Sequence, residues 1–292
     1  MNGVLNIFKP KGMSSFDAVR VVKKVAGTGK VGHTGTLDPE ATGVLPICIG
    51  KATKIIDYIM DSEKVYEVTL KLGIRTTTYD LEGEVLEERD PSHLTEEEIL
   101  NSINSFKGEY SQIPPMYSAL KQNGVRLYEL ARKGIEVERK GRLVNIYNLE
   151  DIKINNPYIS MKVTCSKGTY IRSLCYDIGE KLGVFATMTQ LNRAKTSVFS
   201  QEKSININEL TKENINDYIL SMEEALEKYD KIIVNKKYVK LLVNGVRVAD
   251  GRFTKDKVIN NKLYRVYDDE NNFIGLGERN DAGFKIEKLL IT

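Results

Sequence analysis

From Gly32 to Gly50 the chain reads GHTGTLDPEATGVLPICIG. No period of 3.6 or 2.0 residues runs through its first half, so the backbone there must be irregular. The apolar run Val44–Ile49 that follows has the length of a buried strand. Irregular, Gly-rich backbone set against buried strand is where sites usually lie. This one carries a carboxylate, Asp38.

The rest of the chain reads as a frame for that loop. Val4–Phe8 is a short strand stopped by Lys9-Pro10-Lys11-Gly12. Ser14, with Asp17 three residues on, predicts a capped helix through Phe16, Val19, Val22 and Val25 that Gly27 ends. Ala52–Met60 reads as a helix. Lys64–Leu72 alternates, which places Tyr66, Val68, Leu70 and Leu72 on one apolar face. Core packing is therefore the plain role for Tyr66. A helix is expected over Thr95–Phe106, and strands over Leu143–Ile154 and Ile159–Cys165. Ile171, Leu174, Cys175, Ile178 and Leu182 share a helical face, and Met188–Arg193 and Ala194–Phe199 look like further strand. Ile205–Glu227 has a polar, helical pattern. From about Tyr229 the pattern resets into a module of roughly 60 residues, enough to fold alone. Its short strands are separated by Asn- and Gly-bearing turns.

Two nucleotide signatures fail on context. Gly27-Thr28-Gly29-Lys30-Val31-Gly32 spells GxGxxG, but a helix precedes it where the dinucleotide fingerprint needs a strand. Gly43–Lys51 is too long between its glycines for a phosphate loop, and Ala52 stands where Ser or Thr would hold magnesium.

At 292 residues, 41% apolar and 28% charged, the composition is that of a soluble globular protein. No transmembrane run or secretory signal is visible, so the cytosol is the simplest placement. Cys48, Cys165 and Cys175 are odd in number and lack CxxC spacing. With only His33 and His93 besides, neither disulfides nor zinc are expected. The net charge of +3 is unevenly spread. Lys121, Arg126, Arg132, Lys133, Arg139, Lys140 and Arg142 crowd a segment with only Glu129, Glu136 and Glu138. Tyr117 and Tyr128 are interleaved there, a composition that suits a nucleic-acid backbone with exposed bases. On charge alone, ordinary solvated faces are the plainer reading, because such unevenness is common on protein surfaces.

Locally, Asp38-Pro39-Glu40-Ala41 has the makings of a helix start, with Asp as N-cap and Pro at the first helical position. The other reading makes Asp38 a nucleophile or base that an arginine partner would keep ionised. Arg172 sits near a helix N-terminus, where a cation does not complement the helix dipole. Some other reason must hold it there, such as a carboxylate.

GHTGTLDPEATGVLPICIGKATK, Lys64-Val65-Tyr66, TTTYDLEG, PPMYSALKQNG and SKGTYIRSL, together with the N-terminal NIFKPKGMSSFDAV, resemble the bacterial tRNA pseudouridine-55 synthases, the TruB family. The motifs fall in family order over about Asn6 to Arg193. The tail from about Val234 is similar to a small PUA-like RNA-binding domain. The resemblance implies an α+β fold, with a mixed, mostly antiparallel central sheet flanked by helices and a small β-rich C-terminal domain. It implies a catalytic domain over 1–230, a basic RNA-gripping insertion at about 113–145 and a PUA-like domain over 231–292. The implied activity isomerises a uridine of the tRNA T-loop to pseudouridine by base flipping, without cofactor or metal. The implied partner is the tRNA T-arm, met by a cytoplasmic monomer with no protein partner and no membrane. Carried over, Asp38 is the catalytic carboxylate, Tyr66 stacks on the target base, and Arg172 pairs with Asp38. Tyr170 and Leu191 wall the pocket, His33 fills the gap left by the flipped base, and Asp80 contacts a displaced nucleotide. A non-catalytic tRNA-binding protein with the same surfaces is the rival from another class.

Overall fold

The structure, a computed structural model, describes residues 1–291. The first strand, β1 (Gly3–Lys9), is almost wholly buried. Helix α1 (Ser15–Ala26) starts on a complete capping box: the Ser14 hydroxyl accepts from the Asp17 N–H, and the Asp17 carboxylate accepts from the Ser14 N–H. Gly27 ends it in the left-handed conformation at φ 62°. After β2 (Val31–His33) comes the irregular loop, then β3 (Thr42–Ile49), buried at every position but its first.

A 3-10 helix over Gly50–Ile55 precedes α2 (Ile56–Met60), so the α-helix is shorter than the pattern suggests. Strand β4 (Lys64–Leu72) keeps the alternation of its sequence, with Tyr66, Val68, Leu70 and Leu72 buried. A small ribbon follows, made of β5 (Ile74–Thr76) and β6 (Val85–Glu88). Helix α3 (Glu96–Asn104) leads to β7 (Gly108–Gln112). The basic segment forms a minimal hairpin, β8 (Lys121–Gln122) and β9 (Val125–Arg126), and the short helix α4 (Leu127–Ala131). Long strands β10 (Arg142–Asn155) and β11 (Tyr158–Cys165) precede α5 (Ile171–Leu182) and β12 (Ala186–Thr196).

The main sheet adds three short strands, β13 (Phe199–Ser200), β14 (Ile205–Asn206) and β15 (Ile219–Leu220). Its path runs β14-β1-β3-β12-β4-β11-β10-β7. Only the β1–β14 and β3–β12 pairs are parallel, so the sheet is mixed and mostly antiparallel, as expected. Strands β3, β4 and β12 lie side by side at its centre and carry the candidate site.

Two local expectations are corrected. Asp38–Ala41 does not start a helix: Pro39-Glu40 is a turn in which the Asp38 carbonyl accepts from the Ala41 N–H at 3.1 Å, and the chain enters β3 at once. Ile205–Glu227 is not one helix but 3-10 turns, β14, β15 and the four-residue α6 (Met222–Ala225). Asparagines break it by bonding locally. Asn206 accepts from the Asn208 N–H, Asn214 accepts from the Thr211 N–H, and the Asn214 amide donates to the Glu209 carbonyl.

The C-terminal region builds a second sheet from β16 (Asp230–Ile233), β17 (Leu263–Tyr267), β18 (Phe273–Asn280) and β19 (Gly283–Leu289), with α7 (Lys236–Val243) beside it. Val258-Ile259 is not a strand. Ile232, Val234, Tyr238, Leu242, Val266, Phe253 and Phe284 form its own core. Leu276 and Leu290 instead join Val4, Val44, Cys48 and Phe199 in a cluster shared with the main sheet.

Candidate active site

The loop between β2 and β3 is irregular yet tightly held. The Ser15 hydroxyl exchanges hydrogen bonds with both the N–H and the carbonyl of Leu37, at 2.8 and 2.9 Å. The Pro39 carbonyl accepts from the Gly12 N–H at 2.9 Å and from Lys9 Nζ at 3.1 Å. Leu37 and Ala41 are buried on either side. Between them Asp38 is half-buried, its side chain 34% accessible.

Arg172, in the first turn of α5, comes to meet it. Its Nε lies 3.0 Å from Asp38 Oδ2 and its Nη1 lies 3.4 Å from Asp80 Oδ2. Nη1 also donates to the Thr78 carbonyl at 3.2 Å, and Nη2 donates to the Tyr117 carbonyl at 2.9 Å. Two carboxylates answer the cation that the helix dipole alone would disfavour. One guanidinium therefore ties together the catalytic-candidate loop, the segment after β5 and the root of the basic insertion. Asp80 is buried, and its Oδ1 accepts from the Thr78 hydroxyl and the Glu82 N–H.

The insertion is further rooted on the start of α5. The buried Gln112 amide accepts from the Tyr170 N–H at 2.8 Å and donates to the Tyr170 carbonyl at 3.1 Å. The Ser173 hydroxyl donates to the Ile113 carbonyl. Beyond this root the half-buried Tyr128 ring is flanked by the exposed Arg126 and Arg132 guanidinium groups at 5.8 and 5.4 Å.

Tyr66 is 8% exposed on β4, opposite Val163 of β11 and Arg193 of β12. Burial pushes its hydroxyl above the usual phenol range, and the Arg193 charge opposes that push. Leu191, half-buried on β12 opposite Val68, lines a cleft with Thr42, Glu67, Thr69, Lys162 and Asn192. Tyr170 is the half-buried N-cap position of α5. His33 lies on β2 opposite Ile47, half-buried, with Nδ1 lacking a hydrogen-bond partner. Burial first, and the Arg193 charge second, hold its imidazole below the ordinary histidine range. Direct contact therefore unites Asp38, Arg172 and Asp80, with Tyr66, Leu191, Tyr170 and His33 on the surrounding elements.

Three buried cations, Lys9, Lys64 and Arg193, escaped the sequence reading. Lys9 is fully buried, and its Nζ donates to the Pro10, Met13 and Pro39 carbonyls. Burial lowers its pKa to about 8, against the attraction of Asp38 and Glu40. Arg193 is 2% exposed. Charged residues at the end of an apolar run read as surface, because Lys and Arg are almost never fully buried. The available signal was register: Arg193 shares a face with Leu191, two residues away on a central strand. Among the described residues, no group of three or more His, Cys, Asp or Glu side chains is placed to hold a metal ion.

The family model described as TruB family pseudouridylate synthase (N terminal domain) matches residues 23–171. The tRNA pseudouridylate synthase B C-terminal domain matches 172–227, and the model described as Pseudouridine synthase II TruB, C-terminal matches 231–286. The tRNA pseudouridine synthase B of Clostridium perfringens is 63% identical over 292 residues, covering 100% of this chain and 99% of that one. That of Clostridium tetani is 59% identical over 291 residues, covering both chains fully. A crystal structure of a Cbf5-Nop10-Gar1 complex shares the fold at TM-score 0.76 and 26% identity, over 98% of this chain and 84% of that one. The fold is that of the pseudouridine synthases, an RNA-modifying isomerase class built on a mixed sheet. Within it, the chain belongs to the TruB family of pseudouridine synthases.

Proposed function

We propose that this chain converts the uridine at position 55 of the tRNA T-loop to pseudouridine, with Asp38 as the catalytic carboxylate and no cofactor or metal. The relatives' name, tRNA pseudouridine synthase B, supports tRNA as the substrate. The observation that carries the chemistry is the half-open Asp38 carboxylate, fixed at 3.0 Å by an arginine that is itself buried.

The isomerisation breaks the N1–C1′ bond, rotates the uracil and joins C5 to C1′. C5 gives up its proton and N1 takes one, so composition is unchanged. A base inside a folded loop must first be extruded, at a cost of a few kcal/mol. Stacking on Tyr66, about 1–3 kcal/mol per base, offsets this, as do phosphate contacts from the basic insertion. Tyr170 and Leu191 wall the pocket, and His33, kept neutral by burial, fills the place of the extruded base. Asp80 contacts a displaced nucleotide or, from its buried position, acts through Arg172. The C-terminal sheet, taken as a PUA-like domain beginning near residue 231, adds tRNA affinity. A monomer suffices, because Asp38, Tyr66, Asp80 and Arg172 come from one chain, and a tRNA substrate places the activity in the cytoplasm.

The test maps pseudouridine in a tRNA transcript incubated with the protein, beside a transcript in which U55 is replaced by C. Modification at U55 in the first and none in the second is expected. Pseudouridine elsewhere in both would contradict the assignment of the T-loop.

A further inference from the structure

Arg193 carries a permanent charge with 2% of its surface exposed, and among the described residues it forms no salt bridge. A buried cation without a counter-charge is costly to keep. Its donors go to three carbonyls instead: Nε to Val44 at 2.8 Å, Nη1 to Thr36 at 3.5 Å and Nη2 to Gly35 at 3.4 Å. These carbonyls bracket Asp38 on both sides, so the planar fork spans the loop that carries it.

The strand geometry that places the fork is itself specific. Arg193 pairs with Gly43 across the parallel β3–β12 contact and with Tyr66 across the antiparallel β4–β12 contact. A Cβ on Gly43 would fall 2.4 Å from the Arg193 carbonyl oxygen and 2.6 Å from its nitrogen. Glycine at 43, at φ +113°, therefore lets β12 approach closely enough for Arg193 to reach beneath the loop. Arg172 holds Asp38 by its carboxylate, whereas Arg193 holds the same loop by its backbone.

We propose that Arg193 is a positioning residue for the isomerisation, a buried fork that fixes residues 35–44 so that the Asp38 carboxylate stands at its working distance from Arg172. The proposal rests on the reading of Asp38 as the catalytic carboxylate. Arg193 is buried, so no direct contact with tRNA is expected of it and tRNA affinity should not depend on it. Its charge is felt nearby all the same, lowering the titration of both His33 and Lys9.

The experiment compares single-turnover rates on saturating tRNA, and tRNA binding, for wild type, Arg193→Met, Arg193→Lys and Asp38→Asn. Thermal unfolding measures the folded fraction of each. Arg193→Met should slow the step on the order of a hundredfold, as misplacing a reacting group by about an ångström does. Its tRNA Kd should stay within about threefold of wild type. Arg193→Lys should fall between, because an ammonium serves only part of what the fork holds. A folded Arg193→Met at wild-type speed overturns the proposal, as does a loss that lies wholly in Kd. Where Arg193→Met does not fold, Arg193→Lys decides: slowing by about fivefold or more supports the fork, and wild-type speed overturns it. Asp38→Asn separates the two readings. Turnover by that variant would refute the Asp38 assignment, whereas an inactive Asp38→Asn beside full-speed Arg193 variants refutes the fork alone.

Discussion

Arg172 and Asp38 share their ion pair unequally: at 3.0 Å separation the arginine side chain is 6% exposed and the carboxylate 34%. The cation is therefore a fixture of the core, and the anion keeps contact with solvent. Arg172 also answers the buried Asp80, so losing it strands two carboxylates at once.

Arg172→Met is accordingly expected to cost about 2–3 kcal/mol, less than the ~3–5 of a fully buried pair because Asp38 keeps contact with water. Adding Asp80→Asn to that variant should restore part of the loss by removing the stranded charge. Denaturant unfolding of the single and double variants checks both signs, and a double variant less stable than the single would contradict the pairing.

Tyr66 offers a ring and a hydroxyl, which substitution separates. Tyr66→Phe keeps the stacking surface, so tRNA affinity should hold within about threefold while turnover falls by about tenfold or more if the hydroxyl handles the C5 proton. Tyr66→Leu should lose both. Full-speed turnover by Tyr66→Phe would leave the residue as a stacking platform only.

Asp177 on α5 gives a prediction in the opposite direction. Burial raises its pKa to about 6, with a hydrogen bond from Tyr110 opposing and the Glu180 charge adding. Its folded pKa lies above the ordinary aspartate value of 3.8, so the folded state binds the proton more tightly. Stability is highest below the unfolded pKa and declines as pH rises toward the folded one. Asp177→Asn removes that penalty and should stabilise the protein by about 1 kcal/mol at pH 7–8, after discounting for partial exposure. The gain should vanish below about pH 4. Melting curves at both pH values test this, and an equal gain at low pH would refute the charge argument.

Sequence was most informative where one physical rule acted alone. Alternation in Lys64–Leu72 gave β4 and the inward face of Tyr66, and the Ser14–Asp17 box gave α1. The misfit of Arg172 with the helix dipole called for a carboxylate, and the structure supplies two. Failures arose where short-range and long-range forces compete. Asn side chains in Ile205–Glu227 satisfied the backbone locally and broke a helical pattern. Asp38-Pro39 looked like a cap, but the buried Leu37 and Ala41 pin the loop on both sides of it. Lys9 and Arg193 stayed hidden because their partners are backbone carbonyls, which no residue pattern announces.

The C-terminal sheet shares Leu276 and Leu290 with the main core, so deleting it would uncover apolar surface as well as remove any RNA contacts. Surface charge is the cleaner probe. Replacing the exposed Lys237 and Lys240 of α7 by Ala should weaken tRNA binding and reduce the salt slope by about 1–2, with kcat at saturation unchanged. An unaltered salt slope would remove this face from the interface.

The central claim is that Asp38 performs the isomerisation. Its most direct test is tritium release from C5-labelled uridine in a T-arm hairpin, wild type against Asp38→Asn. Wild type should release one tritium per uridine converted, and Asp38→Asn should release none while binding the hairpin within about threefold of wild type. Undiminished release by Asp38→Asn would contradict the account.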